Sequence, residues 1–187
     1  MIQRTHDLAA VVLVSYSFMS QPIETLNWET ILGIGIASII GAMLPDIDNV
    51  ASPAWKHKLL PWEGLSTREF LEGHRHLSHS LIGGVIFTVT IGFILNLIHL
   101  PHLQINPVIQ AFILGFLSHL IVDSLTREGV PWLFPIPWHL GFPPFKFLRM
   151  KTGGWIEKMV VFPLLLLCLI WIYVAYQNNL ILLIKSF

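Results

Sequence analysis

The sequence predicts an all-α membrane protein, a polytopic bundle of about five transmembrane helices with two long loops on one side. Three observations support this fold class. Hydrophobic residues make up 54% of the 187 residues, and charged residues only 12%, far fewer than in soluble domains. Long stretches of the chain carry no charge at all. The length suits one domain, so we treat residues 1–187 as a single integral membrane domain.

The charge-free stretches divide into five predicted spans. A helix that crosses the hydrocarbon core of a bilayer needs about 20 mainly apolar residues. The stretch from His76 to Val122 is too long for one span, and prolines and polar residues between 100 and 107 indicate a turn within it. The predicted spans are residues 7–24, 30–45, 79–99, 107–123 and 159–176.

The first span is the least apolar of the five, because it contains three serines and then Pro22. One arginine precedes its apolar run, as in a signal peptide. However, no clear small-x-small cleavage motif follows the run, and Asp7 stands at its beginning. We therefore expect a retained helix.

Charge distribution predicts the orientation and excludes some functions. With five spans, ten of the eleven lysines and arginines fall on one side of the membrane, and only Lys185 falls on the other. Basic loops stay in the cytoplasm, so the N-terminus and both long loops are expected there. Eleven acidic residues balance the eleven basic ones, which argues against a nucleic-acid partner. The single Cys168 excludes an internal disulfide and a cysteine-based metal site.

Small residues recur at every fourth position in the second and fourth spans. They are Gly33, Ala37 and Gly41 in the second span, and Ala111 and Gly115 in the fourth. Small residues at this spacing let helix backbones approach closely in lipid. His119 and Asp123 continue the row of the fourth span, so we expect that face to point into the bundle.

Ionisable residues gather at one end of the predicted bundle. Even-numbered spans end on the side where odd-numbered spans begin, which brings residues distant in sequence to the cytoplasmic face. The candidates found there are His6, Asp46, Asp48, His74, Arg75, His79, His119, Asp123 and Glu157.

Two of these groups contain carboxylates at helix ends. His119 and Asp123 are four residues apart and share a helix face, so the pair can bind one divalent ion or form a hydrogen bond that only locks helices together. Asp46 and Asp48 follow the second span, where negative charge is unfavourable to the helix dipole. The two aspartates are either ordinary turn-forming residues or metal ligands. A bound metal cation would neutralise the negative charge that is unfavourable at this helix end. Carboxylates with imidazoles suit Zn, Mn or Mg.

The densest cluster precedes the third span. His74, Arg75 and His79 lie there, and Ser78 or Ser80 is the expected N-cap. Arginine at a helix N-terminus suits a phosphate or carboxylate, although interfacial histidines are often merely solvated. His6 and Glu157 carry weaker signals, since a glutamate in a first helical turn is favourable without any function.

The ordered fragments resemble the YdjM family of bacterial inner-membrane proteins, which is described as membrane-bound metal-dependent hydrolases. The matching fragments are Thr5-His6, Pro45-Asp46-Ile47-Asp48, His74-Arg75, Ser78-His79-Ser80-Leu81, Ser118-His119 with Asp123, and Gly129 before Pro131. Two positions depart from the family pattern: His76 replaces a glycine, and Ser78 replaces a threonine while keeping the hydroxyl. The resemblance implies a multi-pass protein of the bacterial inner membrane.

A fainter likeness is to the zinc-dependent phospholipase C and P1 nuclease group of all-α hydrolases. His119 and Asp123 look like the His-x-x-x-Asp pair of that group, and Glu157 looks like the acid of its His-x-x-x-Glu pair. Gly153 stands where the histidine of the second pair would be. The likeness therefore implies fewer metal ions, one or two.

The expected function is hydrolysis of a phosphoester, small or lipid-linked, at the cytoplasmic membrane surface. His6, Asp46, His79, His119 and Asp123 are the expected ligands of one or two divalent ions. Asp48 or Glu157 would accept a proton from water, and Arg75 with His74 would stabilise negative charge on the substrate. A phospholipid or lipid-linked phosphate fits a site at headgroup level. The alternatives are a non-enzymatic membrane scaffold and a transporter of metal ions or solutes.

The loop at residues 131–145 supports a substrate from the membrane surface. It holds five prolines and five phenylalanines or tryptophans, so it is neither a span nor a regular helix. Tryptophan favours the membrane–water interface. The loop is therefore expected to lie in the interface, either as the entrance for a lipid or as a simple connector.

Overall fold

The computed structural model describes residues 1–21, 26–48, 75–136 and 138–185, and within those ranges it contains helices and no β-strand. The helices are α1 Gln3–Met19, α2 Trp28–Met43, α3 Arg75–Ser78, α4 Leu81–Ile98, α5 Ile105–Ser124, α6 Phe162–Ala175 and α7 Gln177–Lys185. A 3-10 turn at Leu44–Asp48 extends α2, and a π-helical turn at Glu157–Val161 leads into α6. The predicted all-α bundle is confirmed.

Four of these helical segments are long and apolar enough to cross a membrane. They are Trp28–Asp46, Leu81–Ile98, Ile105–Ser124 and Glu157–Ala175. The sequence predicted about five spans, and the difference is α1. This helix begins at Gln3 and ends at Met19, so it has 17 residues. It carries polar residues in its first two turns and serines nearer its end. It nevertheless packs beside α2, α5 and α6 as a member of the bundle.

Side-chain caps define where two of the helices begin. The Asn27 side chain accepts a hydrogen bond from Thr30 N at 2.9 Å, which starts α2. The Ser80 hydroxyl accepts from Gly83 N at 3.1 Å, which starts α4. The expected serine N-cap of the third span is thus Ser80. Its cap places His79 immediately before the helix, at the end of the bundle.

The close contact of α2 with α5 forms the centre of the bundle. A Cβ atom on Gly41 would overlap the carbonyl oxygen of Phe112, and one on Gly115 would overlap the carbonyl oxygen of Ser38. The small residues therefore do let the two backbones touch, as their spacing predicted. The buried core beside this contact consists of Val14, Ile34, Ala37, Val108, Ala111 and Phe112.

The outer helices present apolar side chains to the surroundings. Only 11% of α4 and 6% of the segment Glu157–Ala175 are buried within the structure. Val89, Phe93 and Leu97 all point outward from α4. An all-round apolar helix with so little burial matches a lipid environment, and α5, half buried, is the interior helix.

Candidate metal centre

Five ionisable side chains meet at one end of the bundle. Each comes from the end or the beginning of an element: His6 from α1, Asp46 from the turn after α2, His79 from the residue pair before α4, and His119 and Asp123 from α5. His6 and His119 are fully buried, and the other three are partly buried. The convergence expected from the alternating direction of the helices is observed for all five.

Ligand atoms within this cluster are close enough to share an ion. The atoms of His6, Asp46 and His119 all lie within 4.8 Å of one another, and so do those of His79, His119 and Asp123. His119 belongs to both groups. Since metal–nitrogen and metal–oxygen bonds are about 2.0–2.2 Å long, ligand atoms at these separations are compatible with one ion between them.

Asp123 lies between two imidazoles. Its Oδ1 is 3.3 Å from Nε2 of His6, and its Oδ2 is 3.5 Å from Nε2 of His119. The α-amino nitrogen of Met1 also contacts Oδ1. Across the cluster, Nε2 of His79 is 3.5 Å from Oδ1 of Asp46. Each carboxylate is therefore approached by Nε2 atoms, the nitrogens that commonly bind metals.

The backbone of α2 sets the orientation of His119. Its Nδ1 lies 2.7 Å from the carbonyl oxygen of Ala42, and because a carbonyl can only accept, Nδ1 carries the hydrogen and donates it. This bond leaves Nε2 with a lone pair, and Nε2 is buried with no hydrogen-bond partner among the described residues. A metal-ligating histidine usually has this arrangement, with its other nitrogen donating to a carbonyl or carboxylate.

His6 is more exceptional, because neither of its buried ring nitrogens has a hydrogen-bond partner within the described ranges. Its ring stacks on that of His119, with centroids 3.8 Å apart and planes 11° apart. Leaving a buried polar group unpaired costs about 1–3 kcal/mol. Nitrogens without a hydrogen bond on two stacked rings beside a carboxylate are what a metal site would present, and a cation between the imidazoles and carboxylates would satisfy them.

His79 is held by its neighbour in the chain. Ser78 Oγ lies 3.1 Å from Nδ1 of His79, and Ser78 is buried. This contact directs Nε2 toward Asp46. The His79 ring also meets the edge of the His119 ring, with centroids 5.2 Å apart. The hydroxyl that the sequence keeps at position 78 therefore has a definite orienting role.

Glu157 lies in a buried hydrogen-bond network beside the ligand cluster, and its role as a proton acceptor stays a prediction. It is fully buried on the π-helical turn before α6. Its Oε1 accepts hydrogen bonds from Ile2 N at 2.7 Å and Thr5 Oγ1 at 2.9 Å, and its Oε2 accepts from Gly153 N at 2.6 Å. The carboxylate therefore fastens the beginning of α1, next to His6, to the beginning of α6. It belongs to neither ligand group.

We expect Glu157→Ala to lower the stability by about 3 kcal/mol, because it leaves three donors unpaired in a buried place. Glu157→Gln, which keeps one acceptor oxygen, should lose less. Thermal unfolding in detergent measures both, with the exposed Glu128→Ala as the control. If Glu157 served only as a proton acceptor, Glu157→Gln would abolish turnover while leaving the unfolding temperature unchanged.

Three predicted site residues cannot be placed in this geometry. His74 lies outside the described residues, as do residues 49–73. Of Asp48 and Arg75 only the backbone is described, on the 3-10 turn and at the first position of α3. Their assigned roles stay predictions.

Sequence patterns did not indicate two of the groups that orient the histidines. The Ala42 carbonyl is a backbone group, and no residue pattern marks it. The sequence presents Ser78 as an alternative N-cap, and its position beside His79 is the signal that could have indicated a role in orienting that ring. Both groups act on the second nitrogen of an imidazole.

Comparison with known proteins identifies the family of this chain. A family model described as "YdjM inner membrane protein" matches residues 1–181. The chain belongs to the YdjM family. The YdjM resemblance of the sequence fragments is therefore confirmed, and with the four apolar helical segments it makes this an inner membrane protein.

Individual relatives of this chain come from three bacteria. Inner membrane protein YdjM of Escherichia coli (strain K12) is 32% identical over 127 residues, which cover 66% of this chain and 59% of that protein. YdjM of Shigella flexneri shows the same values. Uncharacterized protein YvsG of Bacillus subtilis (strain 168) is 28% identical over 140 residues, or 75% of this chain and 78% of that protein. The match thus spans about three fifths of the two YdjM relatives. No solved structure matches the chain.

Proposed function

We propose that this protein is a membrane-embedded, metal-dependent hydrolase whose site opens at the cytoplasmic surface of the inner membrane. The observation that carries the proposal is the convergence of three imidazoles and two carboxylates, in which buried nitrogens of His6 and His119 make no hydrogen bond among the described residues. The proposed ligands are His6, Asp46, His79, His119 and Asp123. The orientation follows from the basic loops.

The geometry supports one ion rather than two. Nδ1 of His119 is engaged by the Ala42 carbonyl, so only Nε2 is available, and an imidazole nitrogen binds a single metal ion. Both ligand groups contain His119, so we treat them as overlapping parts of a single metal site. Three imidazoles with two carboxylates suit zinc best, and manganese next.

Different residues of the site would supply the proton acceptor and the positive charge that the proposed hydrolysis needs. A divalent ion, when bound, acts as a Lewis acid and lowers the pKa of water toward ~7. Asp48, two residues beyond Asp46, is the better proton acceptor, because both oxygens of Glu157 already accept hydrogen bonds. Arg75, at the first position of α3, would stabilise negative charge on a phosphoryl group, helped by His74.

A phosphoester is the proposed substrate class, with a phospholipid or a lipid-linked phosphate as the best case. Arginine recognises phosphate through paired donors. The ligand end of the bundle lies where membrane-spanning helices begin and end, which is the level of lipid headgroups. The apolar middle of the helices argues against a transporter, whose binding site would lie near the midplane.

A screen of the purified protein against phosphoester and lipid substrates tests this proposal. We expect one metal ion per chain, and turnover that a chelator abolishes and metal restores. His119→Ala should lose both metal and turnover. His102→Ala is the matched control, because His102 lies in the turn at the opposite end of the bundle. Turnover that survives the chelator or His119→Ala would contradict the metal mechanism.

A structural metal site in a membrane scaffold is the second candidate function. One observation favours it: His6 and His119 are completely buried, and structural metal sites are closed, whereas catalytic sites keep a position open. The same screen separates the two candidates. A scaffold would hold its metal and hydrolyse nothing, and removing the metal would lower its unfolding temperature.

A further inference from the structure

The connection between α5 and α6 has an unusual surface. We define the aromatic loop as residues 131–148. Four of its aromatic side chains point outward, namely Trp138, Phe142, Phe145 and Phe147, each between 61% and 75% exposed. Leu140 and Leu148 are also exposed between and beside them. Clustered exposed apolar groups on a protein mark an interaction site rather than a random surface.

The aromatic loop is firmly attached to the helix ends that carry the proposed metal ligands. Phe142 N donates to the carbonyl oxygen of Ser124 at 2.8 Å, and Trp132 Nε1 donates to Ser124 Oγ at 2.9 Å. Leu81 N donates to the carbonyl oxygen of Trp132 at 3.1 Å. The loop therefore joins the end of α5, next to Asp123, to the beginning of α4, next to His79.

A buried arginine organises the tip of the loop from inside. Arg149 is only 6% exposed, and it donates from Nε to the Pro143 carbonyl at 2.7 Å and from Nη2 to the Pro144 carbonyl at 3.0 Å. These bonds hold the backbone between Phe142 and Phe145. The outward direction of the two rings thus follows from a fixed backbone.

Charge and position favour lipid as the partner of this surface. Lys146 lies between Phe145 and Phe147, and Lys151 follows the loop; both are exposed and form no ion pair within the part of the chain that the structure describes. Aromatic rings with adjacent lysines match the boundary between acyl chains and headgroups. The loop is also hydrogen-bonded to Leu81 at the beginning of α4, which is a candidate span.

We propose that the aromatic loop is an interfacial membrane anchor that binds anionic phospholipids beside the metal centre. The rings of Phe142, Phe145 and Phe147 lie among the upper acyl chains, and Lys146 and Lys151 bind the phosphate groups. The proposal rests on the proposed function for the idea that such lipids reach the metal site. The anchoring itself can be measured without any turnover.

Nitroxide labels on the full-length protein in phospholipid vesicles test the anchoring. Cys168 is the only cysteine, so a Cys168→Ser background allows one label at a time at Phe142→Cys, Phe145→Cys or Phe147→Cys. The matched control is Thr152→Cys, which is exposed just beyond the loop. We expect the three loop labels to collide with oxygen more than with an aqueous nickel chelate, and the control label to show the reverse.

Lipid selectivity is tested on the double variant Lys146→Glu, Lys151→Glu. In nanodiscs of mixed phosphatidylglycerol and phosphatidylcholine, the unmodified chain should retain phosphatidylglycerol with an enrichment of about fivefold per lysine. The double variant should lose that enrichment. Its metal content should stay the same, because it carries no ligand substitution.

Several results would overturn the anchor. Nickel-accessible labels at all three loop positions would show that the surface faces water and suits a protein partner instead. If the double variant retained phosphatidylglycerol as well as the unmodified chain does, Lys146 and Lys151 would not be the groups that bind anionic lipid. If the unmodified chain binds no metal but the loop labels still face lipid, the proposed function fails and the anchor stands. The two failures can therefore be told apart.

Discussion

Asp123→Asn is expected to empty the metal centre while leaving the helices in place. Asp123 faces Nε2 of both His6 and His119, so it is the carboxylate that the two buried rings share. Asparagine has the same shape but no charge, and it binds divalent ions far more weakly. Removing a group that only orients a ligand lowers metal affinity about 10–100-fold, so loss of a ligand should exceed 100-fold. Metal analysis after purification should fall from one ion per chain to nearly none.

Asp7→Asn is the matched control for this substitution. Asp7 lies on α1 beside His6, accepts a hydrogen bond from Gln3 Nε2 at 2.7 Å, and belongs to neither ligand group. It should keep its metal. If purified Asp123→Asn binds metal as tightly as Asp7→Asn does, Asp123 is not a ligand. If the unmodified chain holds no metal, the His119–Asp123 pair only locks the helices together.

The convergence of the five candidate ligands could be predicted because it depends on direction along the chain. Consecutive membrane-spanning helices alternate in direction. His6, Asp46 and His79 are therefore expected at the same end of the bundle as the C-terminal end of α5. The spacing of His119 and Asp123 placed them on one helix face. Sequence distance along the chain does not weaken either argument, and both hold in the structure.

The parts that could not be predicted depend on backbone groups and on tertiary contacts. Nothing in the sequence indicates that the Ala42 carbonyl would accept a hydrogen bond from His119. The three donors around Glu157 come from residues 2, 5 and 153, and only the folded chain brings them together. The extent of α1 was missed for the same reason: Glu157 fastens residues before the predicted start at residue 7.

The burial of Arg149 is another feature that sequence reasoning did not reach. An arginine in a basic loop ordinarily stays in water, and from the sequence Arg149 indicates only a charge that contributes to the orientation. Its partners are the carbonyl oxygens of Pro143 and Pro144. Prolines have no N–H but keep a carbonyl acceptor, so a proline-rich loop offers acceptors that a buried guanidinium can use.

Gly115→Ala is expected to separate α2 from α5 and to destabilise the protein far more than a methyl addition at a glycine of α2 that faces open space. A Cβ atom at position 115 would overlap the backbone carbonyl of Ser38, and a backbone cannot rotate away as a side chain can. Overpacking of this kind costs about 1–3 kcal/mol and sometimes more. The gain in helix propensity from glycine to alanine, about 1 kcal/mol, does not offset it.

Gly35→Ala provides the matched control, because nothing lies within 4 Å of the added Cβ atom. With no clash, it should leave the unfolding temperature unchanged or raise it slightly. Gly115→Ala should also weaken metal binding by about 10–100-fold, since moving α2 away from α5 stretches the 2.7 Å contact between the Ala42 carbonyl and His119. A Gly115→Ala protein that unfolds earlier but binds metal as tightly as Gly35→Ala would show that this carbonyl does not set the orientation of the His119 ring.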